Sequence, residues 1–153
     1  PSVISRQEPT PTSNPTAAVQ ENFPTQTPEQ LKTDLPTVTM PGGTGYIFST
    51  QAITSGPEVD RDVWWNAAEF VPDKRMVSLG LISSPADVNE ISTAEMAFGG
   101  FEPQIGEGFA IEIQRDDQTS YAIIRVLSIV ESADNVTITF DWVYPFRSNV
   151  IVP

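Results

Sequence analysis

The residues able to do chemistry are few, and the missing types narrow the choice first. The 153-residue chain contains no histidine and no cysteine. Ser-His-Asp triads, Cys-His dyads, disulfides and Cys- or His-ligated zinc are therefore all excluded. Lys74 is the one lysine after Tyr46, and no Ser-x-x-Lys spacing accompanies it. That removes the Ser-Lys nucleophile. Gly42-Gly43-Thr44-Gly45 follows a loop and opens no helix, so it lacks the strand and helix context of a phosphate loop.

Carboxylates remain. Glu58, Asp60 and Asp62 alternate, and on an extended segment alternate side chains share a face. Hard cations take several oxygen ligands, so Ca²⁺ is the metal this segment would hold. It has no EF-hand-type glycine loop, and Arg61 reduces its charge. The plainer reading is a solvated strand entry with no cofactor. Glycoside hydrolysis needs only two carboxylates, and Glu107, Glu112 and Asp141 add to the supply. A small glycoside hydrolase is thus a minor alternative, limited by the little room such a domain leaves for a cleft.

Trp64 and Trp65 are adjacent, so on a strand they point to opposite faces, one to the core and one outward. The outward ring is a platform for a sugar or a partner's side chain. Trp142 is expected in the core. Asn135-Val136-Thr137 matches an N-glycosylation acceptor at a turn.

The elements that would position these residues divide the chain in two. Residues 1–45 form a Pro/Thr-rich arm in which closely spaced prolines stop helix and ladder alike, favouring an extended chain. Thr27-Pro28-Glu29-Gln30 reads as a capping box, which predicts a short helix over 28–35 with Leu31 and Leu35 on one face. With Phe23, these are the arm's partner-binding residues, because so short a helix needs a surface to dock on.

From Tyr46 to Pro153 short apolar runs alternate with turn signals, as in an antiparallel β-sandwich or a partly open barrel. Strands are expected at 45–50, 62–66, 76–82, 108–115, 120–130 and 136–144. The last three should form a C-terminal meander. Phe109, Ile111 and Ile113 share one face, as do Val136, Ile138, Phe140 and Trp142. The middle strand is apolar on both faces and should be covered on both sides. Ser84-Pro85-Ala86-Asp87 predicts a short helix competing with an extended run at 88–91.

The formal net charge is −12, and sixteen Asp/Glu against six Lys/Arg lie from Tyr46 onward. Such a surface repels nucleic acid and anionic lipid. No run reaches the roughly twenty apolar residues of a membrane helix. A Pro/Thr/Ser-rich stretch ahead of an acidic β domain, in a chain opening on Pro1, suggests an exported, cell-surface protein held by a tether. The expected function is a non-catalytic accessory or structural module, attached to a larger surface assembly of protein partners through its arm. The alternative is a carbohydrate-binding module, with or without calcium, built on Trp64 or Trp65.

Overall fold

A computed structural model of the chain describes Leu31, residues 33–56 and residues 60–153. Residues 33–153 form one compact unit, in which the chain is all-β. Its described strands are β1 (Thr37–Pro41), β2 (Thr44–Ile47), β3 (Ala52–Ser55), β4 (Val63–Trp65), β5 (Phe70–Pro72), β6 (Met76–Leu81), β7 (Glu90–Ser92), β8 (Glu107–Arg115), β9 (Gln118–Glu131), β10 (Val136–Val143) and β11 (Asn149–Ile151). They make a five-stranded sheet in the order β1-β10-β9-β8-β6, a four-stranded sheet β3-β2-β4-β5, and a parallel pair β11-β7.

The meander is the spine of the unit. β8, β9 and β10 pair antiparallel in consecutive order, with Phe109 opposite Ile124 and Phe140 opposite Val126. The β8–β9 hairpin turns on Asp116 and Asp117, both with positive φ (51° and 65°), the conformation a two-residue primed turn demands. One face of this sheet packs on the four-stranded sheet. Phe109, Ile111, Ile124, Val126 and Phe140 meet Tyr46, Phe48, Val63, Trp65 and Phe70 in a single buried cluster. Aromatic rings fill its centre: Tyr46 and Phe48 lie edge to face at 5.1 Å, and Phe70 contacts both Phe109 and Phe140 at 5.8 Å.

The opposite face is also covered. Ala110 and Ile123 lie in a second cluster with Ile91 and Met96, against which Val77, Val88 and Val150 pack. The β7–β11 pair and the 82–96 segment therefore form a partial third layer. This is why β9 reads as apolar on both sides. At Pro85–Asp87 the expected helix is a single 3₁₀ turn, capped by the Ser84 hydroxyl accepting the Ala86 N–H, and the chain then runs extended into β7.

The N-terminal boundary differs from the sequence reading, which starts the domain at Tyr46. β1 pairs with β10 over five residues, placing Val38 opposite Phe140 and Met40 opposite Ile138, and both β1 side chains enter the core. Met40–Gly45 is thus no linker; Gly42 and Gly43 make a tight turn between two core strands. Gly43 has φ +88°, and a Cβ on Gly42 would run into Asn135 Oδ1 and Ala67. Most of the helix expected over 28–35 lies outside the described residues. Within its described end, Thr33–Leu35 is not helical: the Leu35 N–H is accepted by Thr33 Oγ1, a local bond that competes with helix.

Candidate functional site

Of the acidic segment singled out in the sequence, Asp60 and Asp62 converge on one cation, and that cation belongs to the protein. β8 ends at Arg115, whose side chain reaches back across 53 residues to Asp62. Arg115 Nη2 donates to Asp62 Oδ1 at 2.7 Å and Nη1 to Asp60 Oδ2 at 2.6 Å. The second oxygen of Asp62 accepts the Phe48 N–H at 2.8 Å. The guanidinium thus stands where a bound metal would have to sit. Glu58 lies outside the described residues, and among those described no group of three or more carboxylates is placed to hold a metal ion.

The two aspartates respond to Arg115 differently. Asp60 is exposed, and its hydrogen bond to Arg115 holds its carboxyl below the ordinary range. Asp62 is buried, and desolvation raises it, with the Phe48 amide and Arg115 pulling the other way. Arg115 itself is held above its usual value by Asp60 and Asp62.

Trp64 and Trp65 divide as the strand period requires. Trp65 is 1% exposed and donates its Nε1–H to the Val136 carbonyl at 2.8 Å, tying β4 to β10. Trp64 is half-buried, with the Arg61 guanidinium 4.9 Å from its ring centroid. Its face is therefore partly occupied from within the chain. Trp142 is in the core, and its Nε1–H is buried with no hydrogen-bond partner. Asn135 is turned inward: its Nδ2 donates to the Gly42 carbonyl and its Oδ1 accepts the Val136 N–H, so the glycosylation signature is spent on the β1–β2 turn.

Of the arm residues, Phe23 lies outside the described residues and Leu31 is a half-buried bend. Leu35 is half-buried just ahead of β1.

Two further ion pairs, one buried and one half-buried, cross the five-stranded sheet and its edge. Arg125 and Asp141 face each other across β9 and β10, with Nη2 to Oδ2 at 2.7 Å, and Arg125 also donates to the Ser83 carbonyl. Arg75 grips Glu112 through two bonds of 2.8 Å, which hold the Glu112 carboxyl below its ordinary range. Asp141, at 0% exposure, is thereby removed from the pool of hydrolytic carboxylates.

Sequence reasoning missed a cleft of about 490 Å³ beside Arg115. Its walls come from Ser49 after β2, from the β8–β9 hairpin (Asp116, Gln118, Ser120), and from the Tyr144–Arg147 segment after β10. A smaller hollow of about 230 Å³ between the sheets is lined by Trp65, Glu102, Ile129 and Glu131 among others.

The chain matches no family model, no curated protein and no solved structure.

Proposed function

We propose that the protein is a non-catalytic, extracytoplasmic accessory or structural module, attached to a larger cell-surface assembly through its N-terminal arm. The observation carrying this reading is how the chain enters the domain at residues 36–41. The chain passes from the proline-rich segment through Pro36 directly into β1, which is fixed to β10 by five residue pairs and by burial of Val38 and Met40. The Trp142 N–H bonds to the Pro36 carbonyl, so the fastening begins before the strand does.

The first strand of the domain, directly after Pro36, is thus itself part of the sheet. Force on the arm is then spread over several ladder hydrogen bonds rather than a single turn. The non-catalytic part of the proposal is supported by the ion pairs. Arg75, Arg115 and Arg125 each hold a carboxylate, which leaves no base poised against a nucleophile at those positions.

The test is removal of residues 1–32, which ends before β1. An epitope-tagged chain of residues 1–153 should co-purify with other envelope proteins from its own host, and the shortened chain should not. Equal recovery of partners by both would remove the basis of the proposal. A deletion reaching residue 43 would be uninformative, because it takes β1 out of the core.

A further inference from the structure

We infer that the cleft between the β8–β9 hairpin and the Tyr144–Arg147 segment binds a carboxylate-bearing sugar, a uronic-acid-type saccharide. Its volume, about 490 Å³, falls within the range of about 300–1,000 Å³ usual for small-molecule sites. Such a ligand combines three chemistries, and the cleft carries a counterpart to each.

The first is a carboxylate. Among the described residues Lys74, Arg75, Arg115 and Arg125 each sit in an ion pair, and Arg61 lies over the Trp64 ring. Arg147, exposed and on the cleft wall, makes no ion pair among the described residues. In a domain this acidic, an uncommitted guanidinium in a concave site is the natural receptor for a planar anion. A polyanion would be repelled by the rest of the surface; a single carboxylate docked at Arg147 need not be.

The second is a set of hydroxyls. The Gln118 amide, the Asp116 carboxylate and the Ser49 and Ser120 hydroxyls offer donors and acceptors on the same walls. The third is the apolar face of a sugar ring, for which Tyr144 and Pro145 supply carbon surface. Three of the wall residues, Tyr144, Ser120 and Arg115, are held in place before any ligand arrives. Tyr144 packs on Phe48 at 6.0 Å and its hydroxyl lies 3.1 Å from Ser120 Oγ, while Arg115 is locked by Asp60 and Asp62. Preformed walls cut the ordering cost of binding. Trp64, the ring the sequence offered for sugar, is not part of this cleft.

The inference does not depend on the role of the arm, and either can fail alone. Titration of the full 153-residue chain with galacturonic acid, its methyl ester and a neutral dipeptide, at low ionic strength, decides it. The acid should bind at least about tenfold more tightly than the ester, about 1.4 kcal/mol. Arg147→Gln should bring the acid down to the affinity of the ester, and Gln118→Ala should weaken both alike. Arg147 is exposed, so its variant will fold. Equal binding of acid and ester, undiminished binding to Arg147→Gln, tighter binding of the dipeptide, or no binding of any of the three would each overturn the inference.

Discussion

Replacing Met40 by alanine tests whether the N-terminal strand belongs to the fold. Met40 is 0% exposed, lies opposite Ile138 and sits in the main core cluster. Truncating a buried methionine costs about 2–5 kcal/mol through lost transfer energy and the cavity left behind. β1 is an edge strand and can settle inward, so about 3 kcal/mol is expected. Against a typical total of about 5–15 kcal/mol that is a large loss, and it should lower Tm by about 10 °C for a unit of this size.

Thr39, the next residue along, is the control. Its side chain faces out, and its 2.9 Å hydroxyl contact with Thr139 is exposed, so Thr39→Ala should stay within about 0.5 kcal/mol of the parent. Urea unfolding followed by tryptophan fluorescence reads both, because Trp65 and Trp142 are buried. The urea midpoint should fall for Met40→Ala with little change in slope. If the two variants unfold together with the parent, β1 is not part of the core and the argument from it collapses.

Arg115→Gln strands the Asp62 carboxylate, 4% exposed, with the Phe48 amide as its remaining partner; thermal melts should show a loss of about 1–3 kcal/mol at neutral pH. Burial raises Asp62, so acid protonates it in the folded state first, and the deficit should shrink as pH falls. Glu112→Gln should also cost stability at neutral pH, about 1 kcal/mol for a partly exposed pair. The Glu112 carboxyl is lowered by Arg75 from an ordinary 4.5, so its contribution is complete above that value and is lost as pH falls through the lowered one; the two melting curves should converge in acid. Trp65→Phe should cost more than Trp142→Phe in the same melts. The first loses a 2.8 Å bond to Val136, whereas the second removes a buried donor that has no acceptor.

The parts legible in the sequence were those set by local periodicity. β8, β9 and β10 announce themselves through alternating apolar residues, and the two-sided burial of β9 follows from its composition. β1 was hidden by its prolines. Thr37-Val38-Thr39-Met40 alternates correctly, but between Pro36 and Pro41 it is short enough to pass for linker, and only an edge position tolerates Pro41 at the strand's end. The parallel pairing of β11 with β7 joins distant short segments, and nothing local encodes it. The same limit applies to the site. Asp60 and Asp62 were visible as an acidic pair, but Arg115 lies too far along the chain to be matched to them. The cleft is assembled from three separated loops, so no motif could mark it.

The pairing of β1 with β10 also fixes an order in time. Thr39 and Thr139 meet across a hundred residues, so the first strand of the sheet has no strand partner until about a hundred further residues have been synthesised. Loop closure over that distance must precede any gain from the ladder, which makes the pairing one of the slower steps. Until β10 emerges, Val38 and Met40 have nowhere to hide. The sheet therefore stays incomplete until β10 has been made.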